Sequence, residues 1–216
     1  SSNARNALEN SIKIAIFVTI ISVILGTMSA LALERFTFKG KRVFDALLYL
    51  PIIIPDVTMA VMLLLFFGEF FEILDNLFGL QLRKGFWSIS ISHIAFNISF
   101  VSVVVRARLA GMSTDLEEAA VDLYASRWKA FRHVTFPQIL PGIAGGALLA
   151  MTLSLDDVVI TQFVAGPGWT TLPVYVFGLI RKGVTPLINS ISVIMLVSSM
   201  LLVGLSLLAE RTRRGG

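Results

Sequence analysis

The chain has 216 residues, of which 56% are hydrophobic and only 15% are charged, and its mean hydropathy is +0.82. Because an average soluble domain has about 25% charged residues, this composition predicts a membrane protein, and the length suits one domain with a few helices. The net charge of +4 does not indicate nucleic-acid binding, since the basic residues lie in short segments between apolar runs. The sequence contains no cysteine, which excludes disulfides and thiolate metal sites.

Five stretches are long and apolar enough to cross a bilayer, which requires about 20 residues in a helix. They are residues 12–34, 43–67, 86–105, 137–163 and 185–209. We therefore predict an all-α fold, a polytopic bundle of transmembrane helices that forms a single domain over residues 1–216. The shorter apolar run "VYVFGLI" cannot cross, and we expect it to lie at the membrane interface or to re-enter.

The distribution of basic residues predicts how these spans are oriented. Most of them lie in the segments 35–42, 106–136 and 211–214, whereas the loops at 68–85 and 164–184 contain few. The positive-inside rule places the three basic segments, and with them the C-terminus, in the cytoplasm. Five spans then leave the N-terminus outside without a signal peptide, so we expect a further, N-terminal span to be missing.

Prolines interrupt the second predicted span just before an acidic residue. Pro51 and Pro55 precede Asp56, and such breaks are tolerated in a membrane where a neighbour or water satisfies the freed carbonyls. Asp56 then lies at the mouth of a cavity or caps the helix that follows the break, and we favour the cap.

The third predicted span has a short polar stripe, formed by Ser90, His93 and Asn97 at helical spacing. A single histidine in such a stripe more often hydrogen-bonds to a neighbouring helix than binds a ligand, and the same holds for the asparagine. The other histidine, His133, lies in the predicted cytoplasmic segment, so the sequence predicts no metal site.

A short helix is predicted within the polar segment 106–136. Ser113 or Thr114 is suitably placed to cap its N-terminus, and Glu117 and Glu118 fall near its first turn, where the helix dipole favours acids. The basic amphipathic stretch "ASRWKAF" follows it. From the pattern alone, this segment is a connecting loop that contains a solvated helix.

The fourth predicted span contains two adjacent carboxylates, Asp156 and Asp157, each of which costs about 2.5–3.5 kcal/mol at bilayer depth. Neighbours on a helix project about 100° apart, so Ser154, Asp157 and Thr161 form one polar stripe whereas Thr152 and Asp156 form another. Two interpretations stay open. The carboxylates line a wet path for a cation, or one of them pairs with another helix or subunit and holds a gate.

The stretch "EEAAVDLYASRWKAFRHVTFPQILPGI" resembles the EAA signature of ABC-importer permeases, which reads EAA, three residues, Gly, nine residues, Ile, one residue, Leu-Pro. The residues that match in register are Glu118, Ala119, Ala120 and Pro137. The departures are Val134 and Phe136, which replace one apolar residue by another, and Tyr124 in place of glycine. A tyrosine fits this position if the turn stays at negative φ, because only positive φ demands glycine.

Three further stretches resemble the second permease type of spermidine/putrescine importers. They are "YLPIIIPDVTMAVMLLLFF", "LSLDDVVITQFVAGPG" and "TLPVYVFGLIRKGVTPLINSISVIMLV". Permeases for iron, thiamine and similar substrates are an alternative, because they resemble one another. A proton-coupled secondary transporter with a relay of aspartates and His93 would have no reason to contain the EAA segment. A membrane enzyme is not indicated, since no nucleophile–base pair or metal-ligand spacing stands out.

The resemblance implies the fold of a type I ABC-importer permease in the bacterial inner membrane, and a transport subunit instead of an enzyme. The implied partners are a second permease in a heterodimer, two ATP-binding subunits, a periplasmic or extracellular solute-binding protein, a polyamine and membrane lipid, with no nucleic acid. ATP and Mg²⁺ would bind to the partner ATPase and no cofactor to this chain, which lacks the sequence G-x-x-x-x-G-K-[ST].

The resemblance also implies roles for individual residues, with no catalytic or metal-binding residue among them. Segment 106–136 would form a coupling helix that docks in a groove of the ATPase. Its coupling residues would be Glu117, Glu118, Ala119, Ala120, Asp122, Tyr124, Arg127 and Pro137. The residues of the translocation path or gate would be Asp156, Asp157, Ser154, Thr161, Asp56, His93 and Asn97.

Overall fold

The computed structural model describes residues 2–113 and 115–181, together with positions 190, 193, 194, 197 and 200. Within these residues the regular structure is entirely helical, which confirms the predicted fold class. The chain divides into two compact units, Ser1–Val174 and Tyr175–Gly216. The predicted fifth span and the candidate cap Thr114 lie outside the described residues, apart from the single positions just named.

The helices of the described part follow one another along the chain with short connections. They are α1 (Ser2–Arg35), α2 (Lys41–Ile53), α3 (Asp56–Phe78), α4 (Phe86–Ala110), α5 (Asp115–Asp122), α6 (Arg127–Ala130), a π-helix (Phe131–Thr135), α7 (Phe136–Asp156), α8 (Val159–Val164) and α9 (Leu172–Arg181). Four helical stretches are long and apolar enough to cross a membrane: Ser2–Arg35, Asp56–Phe78, Phe86–Ala110 and Arg127–Asp156.

The second predicted span, 43–67, is wrong because the helix breaks before Pro55. Proline disfavours a helical backbone at the residue before it, and Ile54 is accordingly extended, with φ −71° and ψ 130°. The helix of membrane length is therefore α3, which reduces the predicted loop to residues 79–85. Pro51, in contrast, lies inside α2 without ending it.

The fourth predicted span, 137–163, is also not one helix. It ends at Asp156 and resumes at Val159 as α8, because Asp157 has an extended backbone with φ −64° and ψ 126°. The continuous polar stripe expected on this span is therefore interrupted. The residues on either side of the break belong to two separate helices.

Helices α1, α4 and α7 pack closely because small residues allow their backbones to approach. A Cβ atom added to Gly26 of α1 would lie 2.7 Å from Val101 Cβ on α4, and one added to Gly146 of α7 would lie 3.2 Å from Val101 Cγ1. Lipid is as apolar as the helix surfaces, so close packing is a main source of helix association in a membrane. These three helices form one apolar core of the first unit, in which Ala30 and Ala150 are fully buried. Another apolar core, which includes Phe67 of α3, Ile89 of α4 and Ile160 of α8, lies in the same unit.

Charged side chains join the helices at one end of this unit. Arg106 of α4 donates from Nε to Glu34 Oε1 of α1 at 2.8 Å and from Nη1 to Asp45 Oδ1 of α2 at 2.5 Å. The basic segments 35–42 and 106–136 meet here, and we call this the basic end of the unit. Its formation agrees with the predicted alternation of basic and less basic loops.

The opposite end of the unit is closed by a loop that hydrogen-bonds to the start of α1. Asn10 Nδ2 donates to the carbonyl oxygens of Gly168 at 2.9 Å and Thr170 at 3.1 Å, and Ser11 Oγ accepts from Leu172 N at 2.8 Å. These contacts satisfy backbone groups of a loop without helical hydrogen bonds. The loop between α8 and α9 is thereby attached to the bundle.

We predict that Gly26→Ala lowers the unfolding temperature of the purified chain in detergent. The added methyl group would meet Val101 Cβ at 2.7 Å and the carbonyl oxygen of Ile98 at 3.0 Å, and overpacking of this kind costs about 1–3 kcal/mol. The matched control is Gly68→Ala in α3, where no atom lies within 4 Å of the added Cβ. Equal unfolding temperatures for the two variants would contradict the close α1–α4 packing.

Candidate functional site

A polar cluster lies where α4 passes the break between α7 and α8. His93 Nδ1 is 2.9 Å from Ser154 Oγ, while its Nε2 is 3.0 Å from Thr161 Oγ1 and 3.2 Å from Asp157 Oδ2. His93 lies about 10 Å along the axis from the start of α4, because a helix rises 1.5 Å per residue. Ser154, Asp157 and Thr161, which were grouped by their spacing in the sequence, thus meet around His93. Their spacing alone could not predict that this histidine of α4 lies among them.

Asp157 also stabilises the break itself. Its Oδ1 accepts from Ile160 N at 3.3 Å, and its Oδ2 accepts from Thr161 N and Thr161 Oγ1, each at 2.7 Å. The first N–H groups of a helix have no partner inside that helix, so a side-chain acceptor before it acts as a cap. Asp157 therefore caps α8 and also pairs with His93 of α4. This corresponds to the second interpretation given above, in which one of the two carboxylates pairs with another helix.

The partners of His93 define which ring nitrogen holds the hydrogen. A carboxylate can only accept, so Nε2 donates toward Asp157, while Nδ1 shares a hydrogen bond with the Ser154 hydroxyl. The ring is 2% exposed and hydrogen-bonded to three side chains of the α7–α8 region. His93 thus joins α4 to the break in the way expected of an interhelical hydrogen-bonder.

Asp156 has a different environment, although it is the next residue. Its side chain is exposed, and it makes no ion pair and no hydrogen bond to any other described residue. A carboxylate within a membrane is not left facing lipid, because that position is costly, and it normally faces a water-filled cavity or another subunit. Asp157 therefore interacts with other residues of this chain, whereas the carboxylate of Asp156 is exposed at the surface of the chain.

Of the other predicted path residues, Asn97 belongs to the polar stripe of α4, together with Ser90, and Asp56 lies apart from it. Asn97 Nδ2 donates to the carbonyl oxygen of His93 at 2.9 Å, while Asn97 Oδ1 and Ser90 Oγ are buried without a partner in the described part of the chain. Asp56 is exposed in the first turn of α3 and does not cap it, because Pro55 occupies the N-cap position. The expected cap is therefore wrong, although an acid near a helix N-terminus is still favoured by the dipole.

The predicted short helix is present as α5, near the basic end. Ser113 Oγ accepts from Asp115 N at 3.0 Å, and the first turn contains Glu117 and Glu118 as expected. Of the other coupling residues, Ala119 and Asp122 are exposed, Ala120 is half-buried, Arg127 begins α6, and Pro137 occupies the first turn of α7.

Glu117, and not Glu118, attaches α5 to the bundle. Glu117 Oε1 accepts from Arg35 Nη2 and from Thr135 Oγ1, each at 2.9 Å, whereas Glu118 is exposed and has no such partner in the described residues. Within the described residues, the ion pair that joins α5 to α1 is therefore made by Glu117. Arg35 and Thr135 were missed, and the only signal for them was their position at the ends of α1 and of the π-helix.

Tyr124 lies in the left-handed region, with φ 64°, and is the one non-glycine residue of the described part with positive φ. The condition under which a tyrosine fits without strain, a turn at negative φ, is therefore not met. Tyr124 N donates to Val121 O at 2.9 Å, and Ala125 N donates to Ala120 O at 3.0 Å, which is the pattern of a Schellman motif. Glycine is usual at this position, and a side chain there costs roughly 1–2 kcal/mol.

We predict that Asp157→Ala lowers the stability of the purified chain by about 2–3 kcal/mol. The change removes the cap of α8 and leaves the buried His93 Nε2 without its carboxylate. Asp156→Ala is the matched control, and we expect it to leave the unfolding temperature almost unchanged. A larger loss for Asp156→Ala than for Asp157→Ala, measured by thermal unfolding in detergent, would reverse the two assignments.

Comparisons with known proteins agree with this architecture. Residues 22–211 match the family model described as "Binding-protein-dependent transport system inner membrane component". The spermidine/putrescine transport system permease protein PotC of Escherichia coli (strain K12) is 37% identical over 210 residues, covering 97% of this chain and 76% of that protein. The putrescine transport system permease protein PotI of the same organism is 41% identical over 192 residues, covering 88% and 67%.

Solved structures with a similar fold are permeases of bacterial importers. A chain of an ABC transporter involved in the import of the acidic polysaccharide alginate matches with a TM-score of 0.75 at 19% identity, covering 91% of this chain and 74% of that chain. A chain of the methionine transporter MetNI, in an inward-facing conformation, matches with a TM-score of 0.67 at 16% identity, covering 94% and 90%. The chain belongs to the family of binding-protein-dependent transport system inner membrane components, and it is a multi-pass permease subunit of an ABC importer.

Proposed function

We propose that this permease forms half of the translocation path for a polyamine, spermidine or putrescine. Two relatives with these substrates in their names are 37% and 41% identical to it over nearly the whole chain. A second permease would form the other half of the path, and a solute-binding protein would deliver the substrate. Two ATP-binding subunits would bind ATP and Mg²⁺ and hydrolyse the ATP, while this chain holds no cofactor.

The observation that supports a cationic substrate is the exposed carboxylate of Asp156. It stands at the break between α7 and α8 without a partner in the described part of the chain. Acidic groups along a pore favour cations, because they replace part of the hydration that the cation loses. Asp156 would contact the ammonium groups of the passing polyamine, and Asp157 would hold the wall of the path in position through His93.

The coupling to ATP hydrolysis would act at α5. The exposed Glu118 and Ala119 face away from the bundle and are available to a partner, whereas Glu117 is bound to Arg35 of α1. A displacement of α5 by the ATPase would pass through this ion pair to α1, which packs on α4 and α7. This mechanism requires the basic end, and with it the C-terminus, to face the cytoplasm, as the positive-inside rule predicts.

We predict that Asp156→Asn lowers spermidine uptake by at least about tenfold in cells that contain the whole transporter and no other polyamine importer. Loss of one cation contact of roughly 1.4 kcal/mol corresponds to that factor. Asp75→Asn, which changes an exposed acid of α3, is the control and is expected to leave uptake unchanged. Asp157→Asn is also expected to weaken uptake, because His93 loses its charged partner.

Uptake of spermidine that is unaffected by both Asp156→Asn and Asp157→Asn would exclude the path interpretation of these residues. A complete transporter that moves neither spermidine nor putrescine, but moves another solute, would instead show that the proposed substrate class is wrong.

We predict that Glu118→Lys abolishes co-purification of the ATPase with the permease, whereas Glu117→Gln leaves the ATPase bound but reduces transport per ATP hydrolysed. The first change alters the exposed docking surface, and the second removes the ion pair with Arg35 at 2.9 Å. The charge exchange Arg35→Glu with Glu117→Arg should restore part of the transport that either single change removes. If the ATPase still co-purified fully with the Glu118→Lys permease, the docking role proposed for Glu118 would be wrong.

A further inference from the structure

The turn between α5 and α6 exposes large apolar side chains where lipid does not explain them. Leu123 is 81% exposed, Tyr124 99% and Trp128 67%. Seven of the 18 residues from 115 to 132 are charged, which is incompatible with the hydrocarbon core of a membrane. Exposed apolar side chains grouped in this way mark a contact with another protein.

The aromatic members of this group are presented by a rigid support. The ring of Trp128 stacks on that of Phe131, with 5.6 Å between the ring centroids and 28° between the ring planes. Phe131 in turn packs against Phe136 at the start of α7, with 6.1 Å between the ring centroids. Trp128 is therefore fixed on one face by the chain itself, and its other face remains open to a partner.

Within the described part of the chain, no burial of the Tyr124 side chain offsets its unfavourable backbone. The Schellman hydrogen bonds fix its left-handed conformation, in which glycine would be free of strain, and its side chain is almost completely exposed. Strained residues persist mainly where function depends on them. The chain thus holds an aromatic ring outward at a point where its own stability would be better served by glycine.

We infer that Tyr124 is the principal anchor of the contact with the ATPase subunit, where it fills an apolar pocket between the positions of Leu123 and Trp128. This inference rests on the proposed function of α5 as the docking helix. Tyrosine and tryptophan are enriched among the residues that dominate protein interfaces, because they bury a large area with few rotatable bonds.

The charges around the anchor specify the chemistry of the partner groove. Glu118 and Asp122 of α5 are exposed on one side of the turn, and Arg127 and Lys129 of α6 are exposed on the other. A complementary groove has an apolar floor with basic groups along the α5 side and acidic groups along the α6 side. Such a groove would distinguish this permease from one that has glycine at the turn.

The test compares three substitutions of Tyr124 in the assembled transporter in lipid nanodiscs. Tyr124→Gly and Tyr124→Asn remove the ring while suiting a left-handed backbone, and Tyr124→Phe retains the ring. We expect the first two to weaken retention of the labelled ATPase on dilution by at least tenfold, and the third to remain within about twofold of the original chain. The amount of monodisperse, tagged permease should be unchanged or higher for Tyr124→Gly, because the strain is relieved.

Retention of the ATPase by Tyr124→Gly and Tyr124→Asn at the level of the original chain would overturn the inference. A loss of monodisperse permease in both variants would also overturn it, because Tyr124 would then be needed for the fold of this chain. An original chain that retains no ATPase under any condition would instead refute the proposed docking function, so the two failures are distinguishable.

Discussion

A polar group inside a bilayer must find its partner within the protein, and the break between α7 and α8 is where this constraint is most demanding. Helical hydrogen bonding stops there, and the freed N–H groups of α8 are satisfied by Asp157. Because the same carboxylate accepts from His93, α4 is joined to the break by hydrogen bonds as well as by packing. The neighbouring Asp156 takes no part in these hydrogen bonds, since its side chain is exposed and has no partner in the described residues.

At the basic end the helices are joined by ion pairs. Arg106 holds acids from two other helices, and Arg35 holds Glu117 of α5. Thr135 of the π-helix donates to the same carboxylate of Glu117. Glu117 of α5 is therefore held both by Arg35 of α1 and by Thr135. A short helix that makes little apolar contact of its own is thus coupled to the three packed helices, α1, α4 and α7.

The apolar runs were sufficient to predict the helical class and the spans that became α1 and α4, and the spacing of polar residues was sufficient to group Ser154, Asp157 and Thr161, which meet around His93. The break inside 137–163 was not predicted, because no glycine or proline marks it and because Asp157, which stabilises it, is itself paired with a histidine of a different helix. Which of Glu117 and Glu118 pairs with Arg35 depends on how α5 is rotated against α1, which is a tertiary property. At Tyr124, the residue type argues against a left-handed backbone, and the hydrogen bonds that end the helix override it.

The arginines that form the ion pairs of the basic end act both during membrane insertion and after the helices have packed. During insertion, Arg35 and Arg106 are unpaired cations that retain their loops on one side of the membrane, since Glu117 and Asp45 are still in separate segments. After the helices assemble, the same guanidinium groups form ion pairs that join those segments. At position 106 the planar guanidinium reaches Glu34 of α1 through Nε and Asp45 of α2 through Nη1, so a side chain that makes its loop basic also joins three helices.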